Sequence, residues 1–242
     1  MKKILSLLLL PSLVFAGKIG ENYVGVELGS TNFDFKFSEP TNSVATDANG
    51  FSWSFSGNYN LYQPNTAQYG VDLGLSYLNG SGDDSAIDTD GDTWTTDTDL
   101  SVFTLTIRPH YNLGAFKVFA DLGLVNQDYE IKVNTTNLSG DSSEFFYGLG
   151  FELSLSEKFS IQPSVTFNDS VNTTTSESPP ATFNGNDTVA YLIPVSYSYS
   201  EHIDITGSFS AINNDDFVSS TTSTVKVKSE STSWGIGIDY KF

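Results

Sequence analysis

Residues 51–62 alternate between two kinds of side chain. Phe51, Trp53, Phe55, Gly57, Tyr59 and Leu61 fall on one side, and Ser52, Ser54, Ser56, Asn58 and Asn60 on the other. Successive side chains of a β-strand point to opposite faces, so this segment reads as a strand with one apolar and one small polar face. The pattern recurs at 69–77, with Tyr69, Val71, Leu73, Leu75 and Tyr77 opposite Gly70, Asp72, Gly74 and Ser76. It recurs again at 145–155, 159–167 and 189–199, and no comparable stretch has helical spacing. Ten strands are predicted, at about 22–37, 51–62, 67–78, 99–112, 115–131, 143–155, 158–169, 188–200, 201–213 and 228–242; eight or twelve result if one has been split or merged. Short connections near Gln63–Thr66, Asn112–Ala115, Ser156–Glu157 and Ser200–Glu201 alternate with long ones at 38–50, 79–98, 132–142, 170–187 and 214–227.

This rhythm predicts an all-β fold, a closed antiparallel up-and-down barrel, with short turns at one end and long loops at the other. A soluble barrel or sandwich alternates as well, and the size of the apolar face decides between them. Most strands carry four to six large apolar side chains on that face, too many for the interior of one small barrel. Facing lipid they are accommodated, and closure leaves no unpaired strand edge in the hydrocarbon. Tyr59, Tyr62, Tyr69, Tyr111, Phe116, Phe159, Tyr197, Tyr199, Tyr240 and Phe242 gather near the short turns and the C-terminus. That clustering predicts an aromatic girdle at one membrane interface. Pro109, Pro163 and Pro194 each lack a ladder donor and mark places where the strands are expected to be irregular.

The first 16 residues stand apart from the alternation. Lys2 and Lys3 precede an apolar run from Ile4 to Phe15, with small residues at Val14 and Ala16 suited to cleavage. Residues 1–16 are therefore expected to be a signal peptide and residues 17–242 the barrel domain. A membrane anchor is the competing reading, but the run is shorter than the roughly 20 residues that span a bilayer. The chain of 242 residues contains no cysteine, which excludes disulfides, thiolate metal sites and a lipidated N-terminal Cys. Its formal charge is −18, and loss of Lys2 and Lys3 would take it to −20. With Arg108 as the single arginine there is no basic stripe to displace counterions from phosphates, so nucleic-acid binding is excluded.

At the C-terminus Trp234, Ile236, Ile238, Tyr240 and Phe242 alternate with Gly235, Gly237, Asp239 and Lys241. This ending resembles the C-terminal signature of bacterial outer-membrane β-barrel proteins. The resemblance implies recognition of Phe242 by the barrel-assembly machinery, and outer-membrane lipid and lipopolysaccharide as surroundings. In strand number the chain also resembles the omptin proteases, which use a His with several Asp at the extracellular rim. Its two histidines, His110 and His202, instead lie beside short turns, away from Asp83 and Asp84. His202 and Asp204 are expected to share a strand face without a placed nucleophile, so no catalytic residue is assigned.

Two groups of residues remain as candidate sites. In the acidic connection 79–98, Asp88, Asp90 and Asp92 match the opening of a calcium loop, where alternate carboxylates converge on a hard cation. Thr93 replaces the expected sixth-position glycine, and the plainer reading is a solvated, self-repelling loop in weak contact with divalent ions. No other cofactor is expected. Glu27, Asp72, Arg108, Lys117, Asp121 and Glu152 fall on the small-residue face and are expected to form a lumen network. They would build a salt-bridged plug around Arg108 or line a narrow cation path. The expected function is therefore a structural or surface-interaction role for a non-enzymatic barrel with acidic loops. A porin-like channel for small solutes is the alternative, and a surface hydrolase the third.

Overall fold

The computed structural model describes residues 17–38, 43–63, 68–87, 93–133, 136–168, 172–174, 182–184, 188–219 and 226–242. Six long strands come first: β1 (Tyr23–Ser38), β2 (Ser43–Tyr62), β3 (Tyr69–Ile87), β4 (Thr93–Asn112), β5 (Phe116–Val133) and β6 (Thr136–Ser154). The next stave is broken into β7 (Phe159–Ile161), β8 (Ser164–Asn168) and β9 (Asn172–Thr174). Its partner is broken into β10 (Thr182–Asn184), β11 (Thr188–Leu192) and β12 (Val195–Ser198), and β13 (Ile203–Ser219) and β14 (Lys226–Lys241) complete the chain. Every pairing is antiparallel, and β1 pairs with β14 from Tyr23↔Lys241 to Ser38↔Lys226, which closes ten staves into a barrel.

The registers determine its dimensions. A row of paired residues that starts at Tyr23 passes Asn58, Gly74, Thr106, Gly123 and Phe146. It continues through Asn168, Thr188, Asn214 and Ser229 and returns to β1 at Phe35, twelve positions beyond Tyr23. For ten staves that stagger corresponds to a strand tilt of about 40° and a backbone radius of about 10 Å. Arginine and phenylalanine side chains are long enough to fill such an interior.

The apolar face points outwards. Leu28, Phe51, Leu149, Trp234, Ile236 and Phe242 are all more than half exposed, whereas Ser52, Ser56, Asn58, Ser76, Thr104 and Thr106 on the other face are buried. From Trp234 on β14 to Phe242 just after it the exposed belt has a height of about 20 Å at that tilt, within the lipid-facing band of an outer-membrane barrel. The expected girdle is in place: Tyr62 lies 6.1 Å from Tyr69, Phe116 lies 5.2 Å from Phe151, and Tyr240 stacks against His202 at 6.0 Å.

The strands are longer than the alternation indicates. Much of the acidic connection 79–98 is a hairpin, because β3 continues to Ile87 and β4 begins at Thr93. Likewise β1 and β2 extend into 38–50, β5 and β6 into 132–142, and β13 and β14 into 214–227. The reason is physical. Above the hydrocarbon the outward face meets water, so Asp97, Asp99, Asp128 and Asp141 are exposed there while the backbone ladder continues unchanged.

The prolines interrupt the ladder in two ways. Pro163 and Pro194 separate β7 from β8 and β11 from β12, yet their carbonyls stay in use, accepting from Phe151 N–H at 3.1 Å and Gln162 N–H at 2.9 Å. Pro109 lies inside β4, where the ladder to β5 skips from Ile107↔Leu122 to His110↔Phe119 with its register kept. The short turns have local causes. Gly114 takes φ 93° and its N–H donates to Asn112 Oδ1, and the hydroxyls of Ser156 and Ser200 accept backbone N–H groups at the next two turns.

Leu149 lies in the middle of the exposed belt of β6 and is 62% exposed. Leu149→Arg is expected to lower folding stability in phospholipid vesicles by about 2–4 kcal/mol. Asp128→Arg, above the belt, is expected to change it by less than about 0.5 kcal/mol. Guanidinium titration of tryptophan emission measures both.

Candidate functional site

All six charged residues expected on the inner face point into the lumen, but they form separate groups rather than one network. Arg108 and Asp121 stand opposite each other at the skipped position of the β4–β5 ladder. Arg108 Nε and Nη2 donate to the two Asp121 carboxylate oxygens at 2.7 and 3.0 Å. The guanidinium also lies over the Phe119 ring, 4.3 Å from its centroid. Two parallel charge-assisted hydrogen bonds offset the desolvation that burial imposes on both ions.

Lys117 and Glu152, neighbours in the β5–β6 register, form the second group with Nζ 3.1 Å from Oε1. Asp72 belongs to a third, in which its carboxylate accepts from Asn60 Nδ2 at 2.8 Å and from the backbone N–H of Gly20 at 2.9 Å. His110 Nε2 lies 3.6 Å from Asp72, too far for a hydrogen bond. Glu27 lies apart from these and accepts from Ser208 Oγ at 2.8 Å.

The lumen is also more apolar than the alternation indicates. Leu100, Val102, Phe119, Val125, Tyr129 and Phe146 are buried on the inner face. Two of these rings pack on glycines: Phe146 fills the space that a Cβ at Gly123 would need, and Phe119 the space beside Gly150. Each ring is register-paired with its glycine, so large and small residues interlock across neighbouring strands. Between them Ser76, Thr98, Thr104, Thr106 and Gln127 have side-chain polar atoms that find no partner among the described residues.

Residues that the alternation does not single out close the floor of the barrel. Ahead of β1 the chain makes a turn in which Glu21 N–H donates to the Lys18 carbonyl at 3.3 Å, with Gly20 at φ 84°. A positive φ at the third position is what a type II turn requires, and glycine supplies it without strain. The turn sits inside the lumen with Ile19 only 2% exposed. Ile19 N–H donates to Glu152 Oε2 at 2.8 Å, while its carbonyl accepts from Lys117 Nζ at 2.7 Å. On the far side Gln162 Nε2 donates to the Gly17 carbonyl at 2.7 Å and Asn58 Nδ2 to the Glu21 carbonyl at 2.9 Å. Burial pushes the Glu21 carboxyl above its ordinary range, opposed by Lys241, whose Nζ lies 3.7 Å away. A Gly20 flanked by Lys18, Ile19 and Glu21 was the one visible sign of this turn in the sequence.

Other expected sites fare differently. Asp88, Asp90 and Asp92 lie outside the described residues. Among the described residues no group of three or more His, Asp or Glu is placed to hold a metal ion. His202 and Asp204 do not share a face. His202 precedes β13 and is exposed at the turn, whereas Asp204 is fully buried and pairs with Lys241 Nζ at 2.8 Å. Strand alternation begins only at Ile203, which is why the spacing misled.

A closed ten-stave barrel with a lipid-facing apolar belt and a side-chain-filled lumen defines the class: a transmembrane β-barrel. Residues 4–176 match the family model described as the outer membrane protein beta-barrel domain, and the chain belongs to that family. Among solved structures it is similar to the outer membrane protease OmpT from Escherichia coli, at 10% identity and a TM-score of 0.65, covering 93% of this chain and 98% of that one. It is also similar to the transport unit of the autotransporter AIDA-I from Escherichia coli, at 14% identity and a TM-score of 0.59, covering 96% and 93%. At these identities the likeness is one of fold. No curated protein sequence matches the chain.

Arg108→Ala leaves the buried Asp121 carboxylate without its partner and is expected to destabilise the barrel by about 3–5 kcal/mol. The double variant with Asp121→Ala is expected to recover part of that loss, which chemical unfolding of the two variants measures.

Proposed function

We propose that this chain is a non-enzymatic outer-membrane barrel with a structural or surface-interaction role, presenting acidic hairpins on the side away from the short turns. The observation that carries this reading is the filled lumen. Arg108 and Asp121 with Phe119 and Phe146 occupy its interior, and the turn at Lys18–Glu21 occupies its floor. On the outer surface, Asp83, Asp97, Asp99, Asp128 and Asp141 make the projecting strands of β3–β6 strongly acidic. Asp83 stands directly opposite Asp97 and Asp128 opposite Asp141, an arrangement that repulsion disfavours unless cations or a partner screen it. In this reading the chain is exported by cleavage after Ala16, assembled through recognition of Phe242, and surrounded by lipopolysaccharide. Weak calcium contact at Asp88, Asp90 and Asp92 belongs to the same reading.

A narrow channel for small solutes is the second reading. It is supported by inner polar groups at Ser76, Thr98, Thr104, Thr106 and Gln127, which find no partner among the described residues and give part of the axis a hydrophilic lining. A surface hydrolase of the omptin kind is disfavoured because His110 and His202 both lie at the short-turn end.

Planar-bilayer recording separates the first two readings. The structural reading predicts no unitary current steps above the lipid background. Steady cation-selective steps from the purified chain would replace it with the channel.

A further inference from the structure

We propose that Gly17–Asn22 is an intramolecular plug, and that the floor of the barrel is a binding site for this peptide, with Lys117 and Glu152 as its latch. The inference shares with the reading above the occupied floor of the lumen, but it does not depend on the surface role, which planar-bilayer recording tests separately. It concerns what closes the periplasmic mouth.

Three observations carry it. First, the segment is held by its backbone from five of the ten staves. Asn58 on β2, Asp72 on β3, Lys117 on β5, Glu152 on β6 and Gln162 after β7 each bond a different N–H or carbonyl of Gly17–Glu21. Lys18 adds its own Nζ to Ser198 Oγ at the end of β12, 2.8 Å away. A chain that merely ran along the rim would touch one or two neighbouring staves. Second, the Lys117–Glu152 pair grips Ile19 reciprocally, the ammonium on its carbonyl and the carboxylate on its N–H, as a neighbouring strand would. Glu152 is only 1% exposed, so without this N–H and Lys117 it would be a nearly uncompensated buried anion. Third, the fit is steric as well as polar. A Cβ at Gly17 would collide with the buried Tyr23 ring, and Gly20 takes a φ of 84° that other residues rarely adopt. The exit of the segment is tied to the barrel's closing seam, since Phe242 N–H donates to the Asn22 carbonyl at 3.2 Å. Plug and seam therefore meet where the first and last strands join.

The absence of cysteine from the chain makes single introduced thiols clean reporters. Ser160 faces inwards on β7 and is 1% exposed; Ser156, in the turn before it, is exposed. In the folded mature barrel, Ser160→Cys is expected to react with a hydrophilic maleimide at least about ten-fold more slowly than Ser156→Cys. Beginning the mature chain at Asn22 should bring the two rates to within about two-fold of each other. Heat-dependent migration in detergent gels establishes that each variant has folded before it is labelled. Ile19→Cys in the full-length mature chain needs no deletion. It should be protected, and the added pair Lys117→Met and Glu152→Gln should release it without loss of the folded band. Rapid labelling of Ile19→Cys in the otherwise unaltered barrel, or an unchanged Ser160→Cys rate after the deletion, would overturn the plug.

Discussion

Inside a bilayer no water is available to bond an exposed peptide group, and this one constraint organises the molecule. Every backbone N–H and carbonyl at membrane depth needs a neighbour, so the sheet must close. Here β1 meets β14 over sixteen residue pairs. Closure with a stagger of twelve then leaves little freedom elsewhere: it sets a radius of about 10 Å and makes the inner face the scarce space. Small residues alternate inwards for that reason, and larger inward residues occur where a glycine on the neighbouring strand makes room. Phe146 with Gly123 and Phe119 with Gly150 are two such pairs.

The charged residues inside follow from the same geometry. An isolated ion in a low-dielectric interior is very costly, and each ion can be kept only with a partner. Arg108 has the two oxygens of Asp121, Lys117 has Glu152, and Asp204 has Lys241. Asp72, a fully buried carboxylate, has instead the amide of Asn60 and the backbone of Gly20. The barrel and its N-terminal turn are therefore one polar system at the floor. Asp72 and Glu152 each gain a backbone N–H from the six residues ahead of β1.

How much of this was legible in the sequence depends on what water or lipid demanded of each face. The belt was legible because lipid forces a large apolar residue at every second position, as from Trp234 to Phe242. The outer hairpins were not. In water Asp97 and Asp99 serve an outward strand face as well as a loop, and the ladder that distinguishes the two leaves no trace in hydropathy. The inward direction of Glu27, Asp72, Arg108, Lys117, Asp121 and Glu152 follows from alternation alone. Their grouping does not, because partners are decided by register, shear and a chain segment outside the strands. The turn at Lys18–Glu21 had only Gly20 to announce it. His202 misled because it precedes its strand by one residue.

The fold stands or falls on the bulky residues facing lipid while the small polar ones face the axis. Of the three tryptophans, Trp53 and Trp234 are exposed on the outer belt. Replacing Trp94 by phenylalanine leaves these two as the emitters in vesicles containing acyl-brominated lipids. Strong quenching by the bromines, with little by aqueous iodide, is the result this account predicts. Emission untouched by brominated lipid would place the two indoles away from the hydrocarbon and contradict it.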